Sequence, residues 1–277
     1  MPPNEGADAL AATARAYRYD VGASGSERIR EVAVEMPIEL AFGGAPFVVM
    51  MATPKDLEDF AAGFALTEGI VERIEEIRAI EVLVAEEAAS VNIKLSGERM
   101  SAHLARKRAL VGRTGCGVCG IEDLQHLPKP RRRLTPARTI APSAIGAAIA
   151  LLDSVQPLNQ RTRAVHAAAW CGLGGAIKLV REDVGRHNAL DKLIGALLRE
   201  GADPDDGFLL ITSRCSFEMV AKAATFGAGT LVSLSAPTSL ALKRAEESGV
   251  AIIAVARTDQ ALFFAGAIEA ARSGEAA

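Results

Sequence analysis

The chain is poor in aromatics, in cysteine, in histidine and in net charge. Aromatic residues are 4% of its 277 positions, while 49% are hydrophobic, so its apolar mass is largely Ala, Val, Leu and Ile. That composition suits close-packed helices on sheets and leaves little surface for stacking on bases. A net charge of −3 supplies no general attraction to nucleic acid. The basic run Arg131-Arg132-Arg133 reads as a solvated loop. Apolar runs such as Phe47 to Met51 fall far short of the roughly 18 residues of a membrane span. The N-terminal segment carries Glu5 and Asp8 and lacks a signal-peptide pattern. Four irregularly spaced cysteines do not form a secreted disulfide framework. A cytoplasmic chain with reduced thiols is expected, with neither nucleic acid nor membrane as partner. No GxGxxG and no GxxxxGK(S/T) occurs, which removes the standard dinucleotide and P-loop sites.

What is present is Cys116-Gly117-Val118-Cys119, flanked by Gly115 and Gly120 and close to Arg113. Glycines let such a loop bend, and a nearby cation favours the reactive thiolate. The pair can hold a metal, cycle as a disulfide, or carry a sulfur atom. A zinc deaminase needs H-x-E with P-C-x-x-C. Here Gly115 precedes Cys116, and none of His103, His126, His166 or His187 has Glu two positions on. Cys171 and Cys215 are isolated and read as small core residues.

Residues 1–25 read as a mobile tail. An α+β N-terminal lobe follows over 26–107. Alternation predicts a half-buried strand over Glu31–Leu40. Gly43-Gly44 turns it into a second strand, Phe47–Met51. Thr53 caps a helix with Pro54 in its first turn and Leu57, Phe60, Ala61 and Phe64 as its buried stripe. Residues 108–136 lack periodicity and form the loop that carries the cysteine pair, a length that points to function. Residues 137–277 form an α/β lobe. Its strands at 208–211, 231–234 and 250–255 alternate with helices, which implies parallel pairing. Ligands of such sheets bind beyond the strands' carboxyl ends. These ends are Thr212-Ser213-Arg214-Cys215-Ser216, Ser235 to Ser239, and Val255-Ala256-Arg257-Thr258-Asp259-Gln260. Hydroxyls at the starts of helices suit an anionic group such as phosphate. Arg214 and Lys222 are placed to meet its oxygens, and Glu218 complements the dipole of its helix. His187 lies among Asp183, Arg186, Asn188, Asp191 and Lys192, with Asp191 four residues on and so on the same helix face. That density marks either a functional histidine or a salt-bridge network at a helix start.

Several ordered segments resemble the formate dehydrogenase accessory sulfurtransferase family, FdhD. They are Thr53-Pro54 through Gly69, Thr114 to Gly120, His166 to Trp170, Glu182 through Gly195, Thr212 to Met219, and Ala236 to Ala241. The likeness covers about Val32 to Phe264. It implies a sulfur carrier, hence a sulfurtransferase with a cysteine persulfide intermediate. A cysteine desulfurase would load Cys116, with Cys119 assisting. The sulfur would pass to the molybdenum or tungsten of bis-molybdopterin guanine dinucleotide before formate dehydrogenase takes it up. That cofactor would be a bound substrate, with no intrinsic metal. Val255 to Gln260 matches a segment that contacts it, and Thr212, Ser213, Arg214, Ser216 and His187 are further candidates. The resemblance also implies a homodimer and a cytidine-deaminase-like, three-layer αβα C-terminal lobe without the zinc signature. The chain departs from the pattern at Arg163-Ala164, where the family often has Gly-Gly after Thr, and at Gly43-Gly44, often Asn-Gly. Gln260 stands where a basic residue is common, though Arg257 remains. The alternatives are a cofactor-binding chaperone without sulfur transfer and a zinc-stabilised adaptor.

Overall fold

The computed structural model of the chain describes residues 10–18, 25–108, 134 and 138–264. Strands β1 (Ala11–Arg18) and β2 (Ser26–Ala33) form an antiparallel ribbon, in register from Ala11 against Ala33 to Arg18 against Ser26. Residues 11–18, expected within a mobile tail, are therefore a strand that satisfies the backbone of β2. The single strand expected over Glu31–Leu40 is two. The chain leaves the ribbon at Val34-Glu35 and resumes as β3 (Met36–Phe42) in another sheet. Apolar alternation runs through the break, so period alone does not reveal it. The hairpin from β3 to β4 (Ala45–Ala52) turns at Gly43 and Gly44, whose φ values of 58° and 81° suit glycine. With β5 (Ile77–Val84) and β6 (Ala89–Leu95) they form a four-stranded sheet ordered β4-β3-β6-β5.

Helix α1 (Leu57–Thr67) buries Leu57, Phe60, Ala61 and Phe64, as its spacing predicts. It starts later than Thr53, and Asp56 is its N-cap residue. Thr53 is committed elsewhere. Its N–H donates to Asp183 Oδ2 at 3.0 Å, its hydroxyl accepts from the Val184 N–H at 3.2 Å, and its carbonyl accepts from Lys192 Nζ at 2.8 Å. Long-range bonds have displaced the local cap.

After α2 (Gly97–Arg108) come α3 (Pro142–Leu152), α4 (Pro157–Thr162), β7 (His166–Gly172), β8 (Ile177–Asp183) and α5 (Arg186–Glu200). The remainder is β9 (Gly207–Ile211), α6 (Phe217–Phe226), β10 (Thr230–Ser233), α7 (Ser239–Ser248), β11 (Ala251–Ala254) and β12 (Leu262–Phe263). The sheet order is β12-β11-β10-β9-β7-β8. Strands β9, β10 and β11 are parallel, as expected, while β7, β8 and β12 pair antiparallel. Alternate residues face opposite layers. Trp170, Leu209, Ile211 and Leu231 join the core under α5, α6 and α7, and Cys171, Phe208, Leu210 and Val232 pack against α3. Cys171 and Cys215 are buried core residues.

The two sheets share one core, and α1 against α5 is its seam. The helices cross where both lack side chains. A Cβ on Gly63 would lie 1.8 Å from the Asp191 carbonyl oxygen, and one on Gly195 1.8 Å from that of Asp59. Leu190, Leu193, Ile194 and Leu197 line this contact with at most 1% exposure, worth roughly 1.5–3 kcal/mol each. Asp59 binds Arg181 Nη2 at 2.7 Å and also pairs with Arg199. Among the described residues, no helix is long and apolar enough to cross a membrane.

Candidate functional site

The carboxyl ends of β9, β10 and β11 lie along one edge, where the chain turns into α6, α7 and the 255–260 segment. α5 starts at the same edge, because β7 runs antiparallel to both β8 and β9 and so brings Asp183 and Thr212 to its first residues, His166 and Ala167. Cys116 and Cys119 lie outside the described residues. Leu134, near the end of the 108–136 segment, donates its N–H to the Ser248 carbonyl at 2.7 Å.

His187 sits in the first turn of α5. Its Nε2 is 3.0 Å from Glu218 Oε2, and Ser216 Oγ donates to that same oxygen at 3.3 Å. The bond from His187 holds the Glu218 carboxyl below its ordinary range, helped by the charges of His187 and Arg186 and opposed by burial. His166 stands at the start of β7. Burial pushes its imidazole down, and Arg186 and His187 push it further, against Asp183. Arg186 Nε is buried with no partner among the described residues.

One turn deeper, the same two helix faces meet again. Lys222 Nζ is 2.8 Å from Asp191 Oδ2 and 2.9 Å from Thr67 Oγ1. Burial disfavours the Lys222 ammonium, but Asp191 and Glu68 more than offset it and hold the proton. Lys222, expected beside Arg214 at a phosphate, is therefore committed to a buried pair. Arg214 itself is exposed.

Beneath the α5 start lies a buried scaffold. Lys192 Nζ is 2.6 Å from Asp183 Oδ2, with both side chains fully buried. Burial lowers the Lys192 pKa against the pull of Asp183. Asp183 also accepts from the Gly185 N–H at 2.7 Å and from Asn188 Nδ2 at 3.1 Å, and Asn188 donates to the Met51 carbonyl at 2.8 Å. The polar density read in the sequence thus divides: His187 faces the edge, while Asn188, Asp191 and Lys192 tie α5 to the N-terminal half.

The strand ends are stitched together. Thr212 Oγ1 accepts from the Ala167 N–H at 2.9 Å. Ser233 Oγ is 2.8 Å from the Ser213 carbonyl and 2.9 Å from that of Ser235. The Val255 and Ala256 N–H groups donate to the Ser235 and Ser233 carbonyls, each at 3.2 Å. Ser233, which the sequence did not single out, therefore joins the three candidate segments, at Ser213, Ser235 and Ala256. Val255 has φ of 51°, a left-handed conformation costly for a β-branched residue and typical of over-determined sites. Arg257 Nη1 donates to the Leu234 and Ala256 carbonyls at 2.6 and 2.8 Å, and its N–H to the Gln260 carbonyl at 2.7 Å. Arg257, Thr258, Asp259 and Gln260 are exposed, whereas Ser213 and Ala256 are buried. Arg163, at the family departure, caps α4 with φ of 54°, where glycine would be relaxed.

The FdhD/NarQ family profile matches residues 33–270. The chain belongs to the FdhD/NarQ family. It is 49% identical over 226 residues to the sulfur carrier protein FdhD of Xanthomonas euvesicatoria pv. vesicatoria, covering 82% of this chain and 80% of that protein. It is 46% identical over 238 residues to the sulfur carrier protein FdhD of Cupriavidus necator, covering 85% and 82%. A crystal structure of a candidate formate dehydrogenase accessory protein from Desulfotalea psychrophila superposes with a TM-score of 0.73 at 25% identity, over 94% of this chain and 99% of that one. Within this FdhD/NarQ chain, Glu218, which the sequence reading took as a complement to its helix dipole, is the residue that meets His187 at the edge. The available signal was the repeat of four: His187 and Asp191 on one helix match Glu218 and Lys222 on another.

Proposed function

We propose that this FdhD/NarQ member is a sulfur carrier in formate dehydrogenase maturation. Cys116 accepts sulfane sulfur from a cysteine desulfurase as a persulfide. Cys119 then attacks it, leaving a disulfide and releasing sulfide to the metal of bis-molybdopterin guanine dinucleotide, the bound substrate. The observation that carries the reading is a CxxC pair in a chain 46–49% identical to sulfur carrier proteins. The sheet edge supports the second half. The N-termini of α5, α6 and α7 open there, and the exposed Arg214 and Arg257 add positive charge, a donor set that fits a polyanion such as two pyrophosphates. The reading keeps a cytoplasmic homodimer and a cytidine-deaminase-like description of the C-terminal layers.

Intact mass after incubation with a cysteine desulfurase and cysteine tests it. The native chain gains one reducible sulfur atom, Cys119→Ala retains that gain, and Cys116→Ala loses it. No gain on the native chain, with the desulfurase active, would leave a cofactor-binding chaperone.

A further inference from the structure

Where β10 ends, three consecutive carbonyls hold the third strand-end segment. The Ser235 carbonyl accepts from the Val255 N–H and that of Ser233 from the Ala256 N–H, each at 3.2 Å. Between them, the Leu234 carbonyl accepts from Arg257 Nη1 at 2.6 Å. The Ser233 hydroxyl builds the bend that presents all three. It accepts from the Ser235 N–H at 3.2 Å, and lies 2.8 Å from the Ser213 carbonyl and 2.9 Å from that of Ser235. This is a serine turn, in which a side chain fixes the backbone two residues on. Its one proton is shared between the two carbonyls. Ser233 is fully buried, so no ligand reaches it.

What the turn holds is strained. Val255, at φ of 51°, keeps a conformation that a β-branched residue adopts only where its surroundings impose it. Two residues on, Arg257 spends Nη1 on the Leu234 and Ala256 carbonyls. Its Nε and Nη2, the side-on fork of the guanidinium, have no partner among the described residues, and the side chain is exposed. A planar fork of this kind meets two oxygens of one phosphate. We propose that Ser233 is a positioning residue of the polyanion site. Through the turn at 233–235 it keeps Val255 left-handed and aims the Arg257 fork at a phosphate of the guanine dinucleotide. The proposal rests on the cofactor-binding half of the function proposed above.

Titration calorimetry of the full-length protein with guanosine diphosphate, the nucleotide half of that cofactor, tests it at low and high salt. The native protein binds, and salt weakens binding by screening Arg257. Arg257→Ala binds more weakly, with a shallower salt dependence. Ser233→Ala binds about tenfold more weakly, the scale of one lost hydrogen bond, and shows the same shallow salt dependence. A buried neutral side chain alters that dependence only by moving a cation. The double variant is no weaker than Arg257→Ala alone, since Ser233 acts through Arg257. Native-like affinity in Ser233→Ala overturns the proposal. So does a loss that keeps the native salt dependence, or one that adds in full to that of Arg257→Ala, as a merely structural role would give. Ser233→Cys keeps the shape with a weak donor and decides by the same criteria if Ser233→Ala does not fold. Native binding that Arg257→Ala leaves unchanged overturns the proposal alone. A native protein that binds no guanosine diphosphate overturns the cofactor-binding reading, and the proposal with it.

Discussion

Gly195→Ala tests the seam on which the whole chain depends. The added Cβ would meet the Asp59 carbonyl oxygen at 1.8 Å and the Gly63 nitrogen at 2.7 Å. Both obstacles are backbone, so no rotamer change relieves them. Ordinary contact needs about 3.5 Å, so α1 and α5 must part by about 1.5 Å, and gaps of 0.5–1 Å already forfeit a quarter to a half of each dispersion contact. Overpacking typically costs about 1–3 kcal/mol, and a backbone clash between two helices lies at or above the upper end. Alanine returns about 1 kcal/mol of helix preference. The net loss is at least about 2 kcal/mol, or a fall in Tm of at least about 4–8 °C for a chain of this size. Urea unfolding followed by far-ultraviolet circular dichroism measures it, with the slope unchanged and the midpoint lowered. Gly174→Ala is the control, since a Cβ there meets nothing within 4 Å. A Gly195→Ala protein as stable as native would refute the close crossing, because helix preference alone would then have decided the outcome.

Three further outcomes follow from the buried polar groups. Lys192→Met strands the Asp183 carboxylate and lowers stability by about 3–5 kcal/mol, with part of the loss recovered in Lys192→Met/Asp183→Asn; equal urea midpoints for the single variant and the native protein would contradict it. Acidification destabilises the fold: the lowered pKa of His166 gives stability that is present above its ordinary 6.5 and lost as pH falls through the folded value, and that of Glu218 does the same below the carboxylate range. His166→Gln should flatten the first part of that decline in urea midpoint against pH, and superimposable profiles would count against it. Cys171 and Cys215, buried with thiols pushed up to about 12, should resist iodoacetamide in the native protein and react after denaturation; mass spectrometry showing native-state labelling at either would reject their burial.

Most strands and helices of the C-terminal half were legible because apolar runs and helical spacing there coincide with burial on both sheet faces. The buried stripe of α1 was legible from its helical spacing. The misread places share a physical cause. At Glu31–Leu40 a two-residue period continues through a change of sheet, because alternation records which side is buried and not which partner strand is present. At Thr53 a good capping sequence lost to bonds with Asp183, Val184 and Lys192, which lie more than a hundred positions away in the chain. At Lys222 a cation that looked available for phosphate was neutralised by Asp191 across a helix pair.

By itself the sequence determined the cysteine pair, the parallel order of β9, β10 and β11, the strand-end segments and the family, since these depend on residue identity and local period. Tertiary structure alone decided which polar residues face the edge. Whether His187 or Lys192 is a reactive group or a buried strut depends on what packs against each face of α5. Gly63 and Glu218 supply that packing from other elements, as Ser233 joins the strand ends, and these proximities follow only from how the helices and strands come together.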